Sequence, residues 1–120
     1  DGQQRPDIRR AVHWYRKAAE AGHVNANNHL GVSLLTHGDS IGTPDAQNSA
    51  EAARRFQVAA EAGDTGAQQN LAILYMQGRG VRQDESKAVN LYRRAAEGGQ
   101  PISQYNLYIS LQLGKGVPRD

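Results

Sequence analysis

The hydrophobic positions of the chain recur three and four residues apart, which is the spacing of one face of an α-helix. Ala11, Tyr15 and Ala18 follow this spacing near the start of the chain, and Leu30 and Leu34 follow it next. The same pattern continues to the end of the sequence, interrupted by glycine and proline. It predicts an all-α protein of about six helices, which we place at about 7–21, 24–37, 46–62, 65–77, 84–98 and 101–113.

The sequence also repeats itself. Residues 18–22, Ala-Ala-Glu-Ala-Gly, return unchanged at 59–63 and return as Ala-Ala-Glu-Gly-Gly at 95–99, so the offsets are 41 and 36 residues. Each segment follows an aromatic residue and precedes a leucine, at Tyr15, Phe56 and Tyr92 and at Leu30, Leu71 and Leu107. A period of this length is typical of stacked helical hairpins. We name the first helix of each hairpin the A helix and the second the B helix.

This period divides residues 1–120, one repeat domain, into a B helix at 7–21, repeats at 23–63 and 64–99, and an A helix with its loop at 100–120. Both ends would expose apolar faces that a neighbouring repeat normally covers. We therefore expect a segment of a longer array. The alternative is a complete small protein that dimerises through those ends.

The residues at the predicted helix ends agree with this division. Asp7, Asp64 and Asp84 are candidate N-caps, because an aspartate side chain accepts hydrogen bonds from free amides at a helix start. Pro101 suits a first helical turn. The glycines that end the B helices, where a left-handed backbone costs little, are Gly22, Gly63 and Gly99.

The longer first offset comes from extra residues within 36–49, a polar stretch that contains Gly38, Gly42 and Pro44. Glycine and proline interrupt regular structure, so the stretch is predicted to be a loop. One interpretation is a tolerated surface insertion, because a longer loop costs little free energy. The other is a contact loop at the rim of the array.

Composition excludes several kinds of function. The net charge is +2 and there is no cysteine, so we expect neither nucleic-acid binding nor a thiolate metal site. No apolar run is long enough for a membrane span. Gly114-Lys115-Gly116 lacks the frame of a phosphate-binding loop. The sequence therefore indicates no catalytic residue, no metal ligand and no cofactor.

Two segments resemble a known family. Residues 67–81 contain Asn70-Leu71-Ala72, Tyr75 and Gly78-Arg79-Gly80-Val81, and residues 87–99 run from Lys87-Ala88 to Gly98-Gly99. Together they look like one Sel-one-like repeat, a subclass of the tetratricopeptide-like solenoids. The resemblance implies a right-handed α/α superhelical solenoid with a concave inner face. It also implies adaptor or scaffold roles in signalling, envelope biology or host contact, without catalysis or cofactors.

The last repeat departs from the family pattern at three positions. Leu111 stands where Tyr75 fits the family, as Leu34 does in the first unit. Tyr108 stands where Gly31 and Ala72 stand in the earlier units, and Ser103 replaces an alanine. We therefore expect the last A helix to pack less typically than the other two.

Helical spacing places one set of A-helix residues away from the core leucines. Val32, Ile73 and Ile109 form an apolar row, with amide and aromatic residues beside it. The row is either buried against the adjacent repeat or exposed along a groove that binds a peptide. The amide side chains beside the row can form hydrogen bonds with the backbone of such a peptide. The predicted partner-binding residues are Asn25, Asn28, Val32, Gln69, Ile73, Gln77, Tyr105 and Ile109.

The B helices carry paired cations at 16–17, 54–55 and 93–94, and Arg16 stands four residues before Glu20. These pairs indicate either a solvated convex face or a basic stripe for an acidic partner.

Three functions remain open at this point. The first is an adaptor that binds another protein or peptide on its concave face. The second is an architectural spacer within a larger protein. The third is a module that associates with itself, end to end, through its exposed terminal helices.

Overall fold

The computed structural model describes residues 7–114, and within that range it consists of seven helices and no strand. The predicted all-α class is confirmed, and each of the six predicted helices is present within about two residues of its expected bounds. The seventh is a single short helix in the first A–B connection. The helices are α1 Ile8–Glu20, α2 Val24–Thr36, α3 Gly38–Ile41, α4 Asp45–Glu61, α5 Thr65–Gln77, α6 Glu85–Glu97 and α7 Pro101–Leu113.

Aspartate side chains begin three of these helices, as predicted. Asp7, Asp64 and Asp84 each accept a hydrogen bond from the backbone amide three residues later, at 3.2, 3.0 and 3.0 Å. Pro101 occupies the first turn of α7. The capping aspartates satisfy amides that have no partner inside the helix.

Glycines with a left-handed backbone follow all three B helices. Gly22, Gly63 and Gly99 have φ values of 97°, 95° and 92°, a region that side chains with a Cβ rarely adopt. The amide after each glycine donates to a carbonyl in the last turn of the helix before it. The sharp turn between each B helix and the next A helix therefore depends on glycine.

Each long helix packs against its neighbours in sequence: α1 on α2, α2 on α4, α4 on α5, α5 on α6 and α6 on α7. The main core lies between α2, α4 and α5, where the Phe56 ring is fully buried. A Cβ built on Gly31 would lie 2.4 Å from Phe56 Cε1. Glycine at this position thus lets the aromatic ring of the B helix lie against the backbone of α2.

The next repeat uses the same contact with a slightly larger residue. Ala72 takes the place of Gly31 and is buried in one cluster with Ala88 and Tyr92. In α7 the equivalent residue is Tyr108, whose side chain is 57% exposed. The departure of α7 from the family pattern therefore coincides with an exposed aromatic side chain.

A second repeated position is polar and faces the end of the preceding B helix. Gln68 Nε2 donates to the Ala60 carbonyl at 3.2 Å, and Gln104 Nε2 donates to the Ala96 carbonyl at 3.2 Å. The shorter Asn27 occupies the same position in α2, where it is buried and its Nδ2 donates to the His23 carbonyl at 3.5 Å. Gln68 and Gln104 thus tie α5 and α7 to the last turn of the preceding B helix, on carbonyls that also accept the amides of Gly63 and Gly99.

The first A–B connection is more ordered than the sequence predicted. It contains α3, from which Ile41 packs against the main core. Arg9 Nε donates to the Ser40 carbonyl at 3.2 Å, and the side chains of Thr43 and Asn48 bond each other. The prediction of a loop across 36–49 was wrong for residues 38–41, which form a helical turn. One apolar side chain and several side-chain hydrogen bonds hold this turn in place.

Candidate interaction surface

Hydrogen bonds between side chains join the three A helices side by side. Asn70 Nδ2 of α5 donates to Asn28 Oδ1 of α2 at 3.0 Å. Ser103 Oγ of α7 donates to Gln69 Oε1 of α5 at 2.9 Å. Two of the predicted binding residues thus link neighbouring repeats. We name the surface formed by the eight predicted residues on α2, α5 and α7 the A-helix face.

None of the eight predicted residues is buried in the chain described. Val32 is 41% exposed and Tyr105 is 64% exposed. The exposed members are Asn25, Val32, Gln77 and Tyr105, and the half-buried members are Asn28, Gln69, Ile73 and Ile109. The face is therefore accessible from solvent along all three A helices.

The apolar row divides between the two predicted interpretations. Ile73 packs against the cluster of Ala72, Ala88 and Tyr92 and is half-buried. Val32 belongs to neither core cluster and remains exposed. Val32 is therefore the better residue for testing this surface, because a substitution there disturbs little of the core.

All eight side chains of the A-helix face are uncharged. The amide oxygens of Asn28 and Gln69 are used between helices, while their amide N–H groups have no partner among residues 7–114. Such groups can donate to the carbonyls of an extended segment. The chemistry of the face suits hydrogen bonding and apolar contact rather than charge pairing.

On the opposite side of the repeats, an ion-pair cluster bridges the first two B helices. Arg16 of α1 donates to Glu51 of α4 through two nitrogens, at 2.8 and 3.1 Å, and Arg55 approaches the same carboxylate at 3.5 Å. Burial acts to raise the pKa of Glu51, but the hydrogen bonds and charges of Arg16 and Arg55 outweigh it and hold the pKa below its usual value. Arg16 therefore pairs between repeats rather than with Glu20 in its own helix.

A second ion pair anchors the connection after α5. Arg79 donates to Asp45 at 2.8 Å and to Ser49 Oγ at 3.2 Å. The next glycine, Gly80, lies so close to the Ser49 carbonyl oxygen that a Cβ would stand 2.2 Å from it. The repeated Gly-Xaa-Gly element thus brings this connection onto the start of the preceding B helix.

These pairs use only part of the basic surface that the sequence predicted. Among residues 7–114, no carboxylate forms an ion pair with Lys17, Arg54, Arg93 or Arg94. Within the same range, no three side chains of the metal-binding types are grouped to hold an ion. No helix in the described part is long and apolar enough to cross a membrane.

The fold and its exposed faces define an α/α solenoid of helical hairpins, a class of repeat protein with extended binding surfaces. The chain belongs to the Sel1 repeat family, since the family model "Sel1 repeat" matches residues 1–23, 24–64 and 65–100. The resemblance inferred from the sequence is confirmed. Sel1 repeats mediate protein interactions, and proteins of the family are generally scaffolds and typically non-catalytic.

Two solved structures show the same fold. A protective antigen present in uropathogenic Escherichia coli strains, described as displaying an SLR fold, is 35% identical over 91% of this chain, with a TM-score of 0.78. A Sel1 repeat protein from Oxalobacter formigenes is 31% identical over 97% of this chain, with a TM-score of 0.83. This chain spans 22% and 46% of their respective lengths. No curated protein matches the chain.

Proposed function

We propose that the chain is an adaptor that binds a peptide or protein segment on the A-helix face, the concave face of the solenoid. The observation that carries this proposal is the exposure of Val32, at 41%, within a continuous uncharged surface across three helices. Val32 belongs to neither core cluster, so a partner would cover apolar surface that the chain leaves exposed. This side chain is available for contact with a partner.

The surroundings of Val32 favour an extended segment as the ligand. Asn28 and Gln69 each keep their amide N–H groups free within residues 7–114, and Tyr105 offers a large aromatic surface at 64% exposure. Exposed aromatic residues are enriched among those that contribute most to protein interfaces. Free amides on neighbouring helices can donate to successive carbonyls of one bound backbone.

The test compares two equivalent substitutions on opposite sides of the repeat. Val32→Asp places a charge on the A-helix face, and Val58→Asp places one on α4, where Val58 is 51% exposed. Crosslinked capture from native lysate, quantified by mass spectrometry, is run on wild type and both variants. Circular dichroism confirms that all three are folded.

We expect a protein captured by wild type and by Val58→Asp that is lost with Val32→Asp. The loss should reach ~2 kcal/mol in binding free energy once the partner is purified, as for a central interface residue. Equal capture by Val32→Asp would refute binding at the A-helix face. Capture lost only with Val58→Asp would place the interface on the B helices.

A further inference from the structure

A groove runs between α4 and α6 on the side of the molecule formed by the B helices. Both helices pack on α5, whose Leu71 and Tyr75 face the groove together with Val81 from the following connection. Three adjoining hollows along it have volumes of about 260, 480 and 330 Å³. The first and third share Gln57, and the first and second share Tyr75 and Lys87.

The equivalent interval between α1 and α4 is bridged by the cluster of Arg16, Glu51 and Arg55. The repeat alignment that places Tyr15 over Phe56 and Ala52 over Ala88 also gives the counterpart of each bridging residue. These counterparts in the α4–α6 interval are Gln57 for Arg16, Lys87 for Glu51 and Leu91 for Arg55. The carboxylate of the first interval is therefore replaced by a lysine, and one of its arginines by an apolar residue.

These replacements remove the bridge and leave the groove open. Gln57 Nε2 donates to Glu61 of its own helix at 2.9 Å instead of crossing to α6. The Lys87 ammonium lies 5.4 Å from the centre of the Tyr75 ring. Within residues 7–114 neither Lys87 nor Arg54, which lines the third hollow, has a carboxylate partner.

Acidic groups near the groove are already engaged or lie outside it. Asp84 is the one carboxylate among the residues that line the three hollows, and it accepts the Lys87 backbone amide as the N-cap of α6. Glu61 accepts a hydrogen bond from the Gln57 side chain and lines none of the hollows. The groove therefore has an apolar floor and unpaired positive charge on each side wall.

We propose that this groove is a second docking surface, which binds an extended acidic peptide. Carboxylates of the peptide pair with Lys87 and Arg54, as Glu51 pairs with two arginines in the first interval. An apolar side chain between them lies on Leu91 and Val81. Lys87 and Arg54, together with Arg82, which lines the second hollow, form too small a footprint for a nucleic acid, whereas they suit a segment with a few carboxylates.

The experiment selects binders from a random library of displayed dodecapeptides against the whole chain. Enriched peptides are synthesised, and their affinities are measured by fluorescence anisotropy for wild type, Lys87→Glu, Arg93→Glu and Val32→Asp. Arg93 is exposed on the same helix and lines none of the hollows, so it is the matched charge reversal. Lys87→Glu places an acid in the first turn of α6, where the helix dipole favours it, so the variant keeps its fold.

We expect enriched peptides with Asp or Glu on both sides of an apolar residue. Their affinity should fall at least about tenfold with Lys87→Glu, remain unchanged with Arg93→Glu, and weaken as salt is raised. A further variant, Gln57→Arg with Lys87→Glu, supplies the counterparts of Arg16 and Glu51 from the first interval. It should also abolish binding, and it should melt at a higher temperature than Lys87→Glu alone.

Three results would overturn the proposal. The first is a selection that yields no acidic peptide. The second is a set of acidic peptides that bind Lys87→Glu as tightly as wild type. The third is a set of acidic peptides whose binding is lost with Val32→Asp. The last result would support the A-helix face as the peptide site, so the two proposals can fail separately.

Discussion

At the scale of single residues, the sequence predicted contacts within a helix better than contacts between helices. The N-caps depend on an aspartate and an amide three residues later, so local sequence was enough to predict them. The bridge from Arg16 to Glu51 joins residues 35 positions apart. It depends on the rotation of α1 relative to α4, which helical spacing alone does not fix. The spacing offered Glu20 as the partner instead.

The bridge makes a prediction about acid stability. A carboxyl whose pKa is lower in the folded protein than in the unfolded chain contributes stability above its unfolded-chain pKa of about 4.3. That contribution is lost as the pH falls through the folded-state pKa. Since the pKa of Glu51 is lowered, Glu51→Gln should cost about 1 kcal/mol at neutral pH. The difference from wild type should shrink as the pH falls below about 4.

Urea unfolding of both proteins across this pH range measures the effect. Glu61→Gln is the control, because Glu61 is exposed and, within residues 7–114, accepts a side-chain hydrogen bond only from Gln57 in its own helix. A gap between wild type and Glu51→Gln that stays constant down to about pH 2 would contradict a stabilising role for the ionised carboxylate.

At the scale of helices, the sequence located all six long helices and missed α3. Periodicity becomes informative over several turns, and α3 has four residues. Gly42 does end that helix, with φ at 84°, and Pro44 directly precedes α4. The residues that indicated a break were therefore interpreted correctly, but the turn between them was not visible in the pattern.

The packing of α3 can be tested with one substitution in the inserted segment. Ile41 is half-buried against the main core, so Ile41→Asn should lower the free energy of unfolding by roughly 1 kcal/mol. Ile102 is 58% exposed in the first turn of α7, and Ile102→Asn should stay within about 0.5 kcal/mol of wild type. Equal effects in urea unfolding would show that α3 adds nothing to the core.

At the scale of the whole molecule, the A-helix face could be predicted from the sequence better than the groove on the B-helix side. Positions on the A-helix face follow from the period, so the sequence could place Val32, Ile73 and Ile109 in one row. The open groove between α4 and α6 depends on what stands at equivalent positions in two intervals. The groove could be recognised only once the structure showed that Glu51 bridges the first interval. The sequence alone does not show that Lys87 stands at the position of a bridging residue.

The same linear packing predicts how stability is distributed along the chain, since each repeat is stabilised mainly by its neighbours. The middle helix α4 contributes seven buried residues, including Phe56, whereas α7 contributes only two, both serines. Tyr105 and Tyr108 of α7 are 64% and 57% exposed. Local opening requires less free energy where little apolar surface is buried.

Amide hydrogen exchange followed by mass spectrometry should therefore show the slowest exchange in α4 and α5 and the fastest in α7. A difference of at least about tenfold in rate is expected, equivalent to ~1.4 kcal/mol in opening free energy. If α7 exchanged as slowly as α4, the described chain would open as one cooperative unit. In that case α7 would be a rigid helix that presents exposed side chains for contact, and it would not be a weakly packed helix.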